Sequence, residues 1–122
     1  MIGMDRAWTI ELHIAVRAEI AVLPTPVRKA LGTALLAVEI DGPNLGRPTV
    51  DTLKGSRHAN MKELRFDEDD GVWRFAFAFD PARRAVVLVG GDKQGENQRR
   101  FYRWLIETAD ARFDAHLEGM KR

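Results

Sequence analysis

The sequence predicts an α+β fold in which helices pack on a small, mainly antiparallel β-sheet. Near its start and again in its second half, apolar residues alternate with polar or small ones, which is the period of β-strands. Between and after these segments, apolar residues recur every three or four positions, which is the period of a helix that buries one face. The resulting order of strand, helix, three strands and helix is typical of α+β domains.

The first element is predicted as a strand over residues 7–15, because one side of the alternation is apolar: Trp8, Ile10, Leu12 and Ile14. A connector with room for one helical turn follows. Thr25 is then predicted as the N-cap of a helix and Pro26 as its first residue, where no N–H bond is needed. An apolar stripe from Val27 to Val38 predicts a helix of about 15 residues, which Asp41-Gly42-Pro43 ends.

The second half is predicted as three strands and a helix. Residues 44–60 are rich in turn formers, and the strands follow at about 61–66, 72–79 and 84–90. Their connections, 67–71 and 80–83, are short enough to require antiparallel neighbours. The last helix is predicted from Glu96 to about Leu117 by apolar residues at i+4 spacing: Phe101, Leu105, Ala109, Phe113 and Leu117.

Composition narrows the possible function classes. A length of 122 residues fits one domain, residues 1–122, and the formal net charge is +1. Cysteine is absent, which excludes a disulfide scaffold and a thiol nucleophile, and the three histidines lack metal-ligand spacing. We therefore expect no metal and no cofactor. No apolar run approaches the roughly 20 residues of a membrane span, and residues 1–6 lack the pattern of a signal peptide, so a cytoplasmic protein without a membrane partner is expected.

The small net charge conceals a strong segregation along the chain. Residues 46–65 carry five basic and two acidic side chains, and residues 82–103 carry six basic and two acidic ones. Residues 66–81, in contrast, carry one basic and five acidic side chains. Folding can turn such segments into one basic and one acidic face. A solvated surface of mixed sign is the alternative interpretation.

The predicted central strand places an arginine among small residues. The four aromatic residues of this strand alternate and are expected to face the core: Trp73, Phe75, Phe77 and Phe79. Arg74 then lies with the alanines on the opposite face, which we interpret as an uncovered concavity. By the same parity Arg65 of the preceding strand shares this face. Two guanidinium groups there could bind anionic oxygens in two-pronged fashion. The alternative is a surface ion pair of Arg65 with Glu63, or of Arg74 with an aspartate.

The last helix carries its charges in the order that its dipole disfavours. Arg99, Arg100 and Arg103 come first and the acids come later, although helix N-termini prefer acids. An anionic partner would explain this order. The preceding loop, residues 90–95, could add backbone N–H groups and Lys93, although its glycine pair is equally explained by loop geometry.

Sequence motifs of the common hydrolases and phosphate-binding folds are missing. There is no Ser/His/Asp set placed by motif, no H-E-x-x-H and no G-x-x-x-x-G-K-[ST] loop. The acids of residues 67–70 fit a solvated hairpin turn. Catalysis, if present, would use arginine, lysine, tyrosine or histidine on a phosphate ester.

Six short motifs together resemble the RelE/ParE superfamily of toxin–antitoxin toxins, in its phage-derived HigB-like branch. In order they are Leu45-Gly46-Arg47-Pro48, Lys62-Glu63-Leu64-Arg65, Val72-Trp73-Arg74, Phe77-Ala78-Phe79-Asp80-Pro81, Gly91-Asp92-Lys93 and Phe101-Tyr102. The resemblance covers roughly residues 8–117 and implies a RelE-like toxin fold. It also implies metal-independent cleavage of mRNA on the ribosome, in which a base removes the 2′-OH proton, arginines stabilise the phosphorane and an acid protonates the leaving oxygen.

The resemblance implies roles for the residues that match the family's motifs. Arg65 and Arg74 would contact the scissile phosphate. Lys93 would stabilise charge or act as the acid, and Tyr102 would be an acid/base or stacking residue. Further RNA contacts are expected from basic residues and one histidine: Lys54, Arg57, His58, Lys62, Arg99, Arg100 and Arg103. The resemblance implies three partners: mRNA, the ribosome and an antitoxin with a helix-turn-helix domain. DNA would be bound only through that antitoxin.

This sequence departs from the RelE pattern on one strand. Where RelE-type toxins alternate lysines, it has Met61 and Glu63, so the general base stays open among Glu63, His58 and Tyr102. Two other functions stay open for the same reason. One is a ParE-like, non-enzymatic inhibitor of DNA gyrase, and the other is an inert module that binds RNA or the antitoxin.

Overall fold

The computed structural model describes residues 7–122 as a five-stranded sheet with helices on both faces. The strands are β1 (Thr9–Leu12), β2 (Val50–Thr52), β3 (Met61–Glu68), β4 (Gly71–Phe79) and β5 (Arg84–Asp92). The helices are α1 (Ile14–Ala21), α2 (Thr25–Asp41) and α3 (Gln98–Met120), and a 3₁₀ turn covers Gly42–Asn44. The predicted α+β class is confirmed. None of these helices is both long and apolar enough to cross a membrane.

The sheet order is β1-β5-β4-β3-β2, and every neighbouring pair is antiparallel except β1 and β5, which run parallel. The β3–β4 hairpin turns through Asp69 and Asp70, both with positive φ, as two-residue hairpin turns require. The short connections therefore produce the antiparallel neighbours that the sequence predicts.

The first face of the sheet holds the larger aromatic core. Trp73, Phe75, Phe77 and Phe79 of β4 pack with the buried side of α2, whose members are Val27, Leu31, Ala34 and Val38. Each such side chain contributes roughly 1.5–3 kcal/mol by leaving water. This face matches the parity expected from the alternation in β4.

The second face is covered by α3. Ala76 and Ala78 of β4 pack in one buried cluster with the predicted i+4 residues of the helix: Phe101, Leu105, Ala109 and Phe113. The interpretation of this face as an uncovered concavity around Arg74 is therefore wrong. The small alanine side chains let the helix lie close to the sheet, and they do not floor an open cleft.

The first strand and helix differ from the prediction at their ends. The strand stops at Leu12, because His13 caps α1 through its Nδ1, which accepts the N–H of Ala15 at 3.1 Å. Ile14 then begins α1 and is 80% exposed, so it does not continue the buried side of the strand as the alternation predicts. Thr25 is the first residue of α2, and Pro24 occupies the N-cap position.

The glycine pair belongs to β5 and not to a loop. A Cβ on Gly90 would overlap the ring of Phe75, and one on Gly91 would lie 3.2 Å from the ring of Trp104. The glycines are therefore explained by close packing of aromatic rings on the strand. Helix α3 begins later than predicted, at Gln98, with Asn97 as its N-cap accepting the N–H of Arg100 at 2.9 Å.

Helix α3 is tied to the sheet and to α1 by one arginine. An extra residue in β5, Leu88, interrupts the register opposite the Ala76–Phe77 step, and its carbonyl accepts Nη1 of Arg112 at 2.7 Å. The same guanidinium forms two hydrogen bonds to Glu19 of α1, at 2.9 and 2.8 Å. These contacts fix the helix that carries Tyr102.

Candidate active site

Two arginines lie directly opposite each other on β3 and β4. Arg65 pairs with Arg74 in the antiparallel register, which places both on one face, as the shared parity predicts. Glu63 precedes Arg65 by two residues and so projects from the same face. Tyr102, in the early turns of α3, reaches this group from above. Four side chains from three separate segments therefore meet at one place.

Glu63 is the centre of the group. It is only 6% exposed, and its Oε1 accepts the hydroxyl proton of Tyr102 at 2.7 Å. The arginines lie further away, with Arg65 Nη1 3.5 Å from Oε2 and Arg74 Nε 3.8 Å from Oε1. Since strong charge-assisted hydrogen bonds measure about 2.7–2.9 Å, the guanidinium groups are close to the carboxylate without being fully engaged by it.

Arg74 holds an unused hydrogen-bond donor. Its Nη1 donates to the carbonyl of Trp73 at 2.8 Å, but its buried Nε has no hydrogen-bond partner within the described chain. An orphaned buried donor costs about 1–3 kcal/mol and is often found where a ligand will bind. A cavity of about 270 Å³ lies alongside, lined by Pro48, Arg65, Phe66, Asp67 and Arg74. The arrangement is suited to an anion with several oxygens.

The chemistry of Tyr102 is set by its surroundings. Burial first, then the hydrogen bond to Glu63 and its negative charge, raise the pKa of Tyr102 above 10.0, with Arg74 opposing them. The hydroxyl therefore keeps its proton at neutral pH. In that state Tyr102 can donate a hydrogen bond or a proton.

This contact predicts a measurable titration. Tyr102 is the single tyrosine of the chain, so the tyrosinate absorbance band reports on it alone. We expect the midpoint above pH 10 in the unchanged protein and a lower midpoint in Glu63→Gln, because that variant removes the anion facing the phenolate. Glu107→Gln, an exposed change on the same helix, is the matched control. Equal midpoints for Glu63→Gln and the unchanged protein would show that the two groups are not in contact.

Arg47 extends the positive surface and was not among the predicted site residues. A cavity of about 330 Å³ is lined by Arg47, Pro48 and Arg65, next to the one beside Arg74. Arg47 Nε donates to Asp51 Oδ2 at 2.9 Å, and this contact lowers the pKa of the Asp51 carboxyl. The excess of basic residues in 46–65 was the feature of the sequence that could have pointed to Arg47. Without strand β2, which was not predicted, Arg47 could not be placed beside β3.

Two residues that are predicted to contact RNA anchor a loop to α3. Arg57 and His58 both pair with Asp114, with His58 Nε2 2.8 Å from Oδ1. The N–H of Arg57 also donates to Asp110 at 3.0 Å, and Ser56 donates to the same carboxylate at 2.5 Å. His58 in addition packs edge-on against a phenylalanine ring of α3. These contacts hold the loop to α3, and RNA binding by Arg57 and His58 stays a prediction.

The remaining predicted residues are dispersed. Lys62 pairs in register with Phe77, which places it on the face of α1 and α2, and its Nζ lies 3.4 Å from Thr52 Oγ1. Lys93 donates to Gln98 Oε1 at 3.1 Å. The other basic candidates are exposed, in the loop after β2 and on the first turns of α3: Lys54, Arg99, Arg100 and Arg103. Within residues 7–122, no group of three or more acidic or histidine side chains has the arrangement of a metal site.

Comparison with known proteins identifies the family. The sequence profile of the phage-derived Gp49-like proteins matches residues 18–114, which is most of the chain. The chain belongs to this family. The prediction of a RelE/ParE-superfamily protein of the HigB-like branch is thereby confirmed.

Two mycobacterial relatives and one solved structure are similar to this Gp49-like protein. The candidate toxin HigB2 of Mycobacterium tuberculosis is 47% identical over 85 residues, covering 69% of this chain but 42% of HigB2. The candidate toxin HigB3 of the same organism is 49% identical over 84 residues, covering 69% of this chain and 71% of HigB3. The E. coli toxin RelE, as a double arginine-to-alanine mutant in the free state, shares the fold with a TM-score of 0.59 at 14% identity, over 82% of this chain and 94% of RelE.

Proposed function

We propose that this protein is the toxin of a type II toxin–antitoxin pair and that it cleaves mRNA on the ribosome without a metal. The names of its two mycobacterial relatives and its family support the toxin assignment. The observation that carries the cleavage is the Nε of Arg74, buried without a hydrogen-bond partner beside Arg65 and a buried carboxylate. A phosphate diester brings the negative oxygens that these donors lack.

Arg65 and Arg74 bind the scissile phosphate and stabilise the extra charge of the phosphorane. Donors arranged in advance around the position of developing charge are worth more in a half-buried site than in water. Arg74 is 7% exposed and Arg65 lies at the mouth of the cavity. Each guanidinium can present two parallel N–H groups to the phosphate oxygens.

Glu63 takes the proton of the attacking 2′-OH. Of the three candidate bases, Glu63 is the one that lies beside both arginines, whereas His58 pairs with Asp114 and Tyr102 is protonated at neutral pH. Tyr102 orients this carboxylate through its hydrogen bond of 2.7 Å. The proton then resides on Glu63 while the new 2′-O–P bond forms.

Lys93 gives a proton to the leaving 5′ oxygen. Lys93 follows β5, on one side of β4, and Glu63 lies on β3, on the other side. Arg74 on β4 therefore lies between them, as an in-line displacement with separate base and acid requires. The 5′-O–P bond breaks and leaves a cyclic phosphate on the upstream fragment.

The proposal includes the partners and the compartment of such toxins. The antitoxin covers the basic surface, carries a helix-turn-helix domain and brings the pair to DNA, which the toxin alone does not bind. The toxin itself acts on ribosomes in the cytoplasm. Association between a basic surface and an acidic segment is accelerated by their complementary charge.

One observation favours an inert binding module as the second candidate. Glu63 lies close to both arginines, so its charge offsets part of theirs. In that case RNA would be held without being cut, and binding would weaken steeply with salt.

Controlled expression in a bacterium without the antitoxin separates these functions. We expect new mRNA 5′ ends inside translated frames, and we expect Arg65→Ala to remove them. Arg28→Ala, an exposed arginine on α2, is the matched control and should change nothing. Growth arrest with intact mRNA would contradict cleavage and favour a gyrase-type protein target. No arrest would favour the inert module.

A further inference from the structure

We propose that the cavity beside Trp104 is a subsite for one unpaired RNA base, with guanine preferred. This inference rests on the proposed function, because it assigns the base next to the phosphate that Arg65 and Arg74 hold. It is carried by the shape of the cavity, its place in the sheet and its free polar groups, none of which the proposed chemistry uses.

The cavity exposes an aromatic surface. It has a volume of about 340 Å³ and is lined by Gly91, Asp92, Glu96, Arg100, Phe101 and Trp104, which is within the range of about 300–1,000 Å³ of small-ligand pockets. Trp104 is 44% exposed, although it is one of the largest apolar side chains of the helix. Its ring lies 5.7 Å from that of Phe101, tilted by 55°. Because Gly91 has no side chain, one edge of the Trp104 ring packs close to the strand, and the exposed remainder of the ring lines the cavity.

The sheet register connects this cavity to the arginines. Gly91 pairs with Arg74 across β5 and β4, and Arg74 pairs with Arg65 across β4 and β3. Neighbouring strands lie about 4.7–4.9 Å apart. The three positions therefore form one row that ends beneath Trp104. A nucleotide whose phosphate rests on the arginines has its own or the adjacent base within reach of the indole ring.

The polar groups of the cavity are suited to a base edge. Glu96 and Arg100 are exposed, and within residues 7–122 their side chains have no hydrogen-bond or ion-pair partner. Asp92 differs, because its Oδ1 already accepts the N–H groups of Val72 and Gln94, both at 2.9 Å. A free carboxylate accepts two parallel N–H groups from the Watson–Crick edge of guanine, whereas the other bases offer one such donor group.

Charge favours RNA over a protein segment as the occupant. Arg99, Arg100 and Arg103 are exposed on the first turns of α3, where no acid lies. Aromatic rings beside exposed arginines are the usual surface for single-stranded nucleic acid, in which bases stack and phosphates meet the cations.

Binding of uncleavable RNA tests the subsite. The probes are short single-stranded RNAs with 2′-O-methyl sugars, which cannot attack the phosphate, carrying guanine, adenine or an abasic position. We expect guanine to bind most tightly and the abasic probe least. Trp104→Ala should weaken guanine binding by roughly ten- to a hundred-fold and remove the base preference, and Trp104→Phe should retain most of it. Leu36→Ala, an exposed apolar change on α2, is the matched control.

The outcomes separate this inference from the proposed function. If the abasic probe binds as well as guanine while Arg65→Ala still weakens both, the subsite is overturned and the phosphate site stands. If Trp104→Ala keeps its RNA affinity but no longer binds the antitoxin, the occupant is protein and the inference is wrong. In cells, loss of base preference at the mapped cleavage ends in Trp104→Ala supports the subsite. No RNA binding together with intact mRNA would overturn both proposals.

Discussion

Arg74→Met is expected to lower the rate of mRNA cleavage by about 10²–10³-fold, the usual cost of removing one donor that stabilises a transition-state anion. Arg74 is central because its Nε is buried without a hydrogen-bond partner and its neighbour Arg65 lines the same cavity. Methionine keeps a similar length and removes the charge and all donors.

The protein should stay folded in this variant. The ion pair with Glu63 is long, at 3.8 Å, and Glu63 keeps its hydrogen bond from Tyr102. Removing an unsatisfied donor also removes its desolvation cost, which offsets the loss of the bond to the carbonyl of Trp73. Loss of function therefore comes without unfolding.

Two measurements check this prediction together. Growth and mapped mRNA ends report on cleavage, and the urea midpoint reports on stability. Arg74→Lys is the comparison, since it keeps the charge but not the forked donors, and it should recover only part of the activity. Full toxicity of folded Arg74→Met would remove Arg74 from the site.

Asp80→Asn is expected to lower the free energy of unfolding by about 3–5 kcal/mol, the cost of leaving a buried ion pair without one partner. The Asp80 side chain is fully buried at the β4–β5 turn. One oxygen accepts the N–H groups of Ala82 and Arg84, both at 2.9 Å. The other accepts Arg84 Nε at 2.9 Å and contacts His116 Nε2 at 2.8 Å. The side-chain amide of asparagine would turn its own N–H donor toward one of these N–H donors, where the carboxylate accepts a hydrogen bond.

The same residue predicts a pH dependence. Burial works to raise the pKa of Asp80, but hydrogen bonds from His116 and Arg84 outweigh it and hold that pKa below its ordinary value of 3.8. A carboxyl with a lowered folded pKa stabilises the protein above its unfolded pKa and loses that contribution as pH falls through the folded value. The contribution of Asp80 is therefore complete near neutral pH, begins to decline at about pH 4, where the unfolded carboxyl titrates, and is lost once pH falls below the lowered folded pKa.

Urea unfolding at neutral and acid pH measures both effects. The difference in stability between the unchanged protein and Asp80→Asn should be large at neutral pH and shrink in acid. Glu118→Gln, an exposed acid on α3, is the control and should change stability little at either pH. A difference that stays constant across this range would contradict the assigned contacts.

The local pattern of apolar and polar residues was sufficient to predict the long helices and strands and to place the two arginines of the site on one face. The alternation in β4 sets which side chains face the aromatic core, because successive side chains of a strand point to opposite faces. The i+4 stripe of α3 likewise matches the residues that are buried there. Since Arg65 and Arg74 follow the same parity rule on adjacent strands, the period of two residues is enough to place them on a shared face.

Pairing between distant segments decided the rest. Strand β2 has three residues and exists through its bonds to β3, so residues 50–52 carried too little pattern to predict it. Arg57 and His58 anchor their loop through Asp114, which lies more than 50 residues away along the chain. No local pattern contains such a contact.

The sequence by itself determined the α+β class, the antiparallel strands, the core faces and the shared face of the two arginines, because these follow from periods of two and 3.6 residues and from short connections. Only the tertiary structure decided that α3 covers the alanine face, that Tyr102 holds Glu63, and that Trp104 packs one ring edge on Gly91 while remaining 44% exposed. Those features depend on where a helix lies across a sheet, which is set by the packing of many side chains and not by the pattern of any one segment.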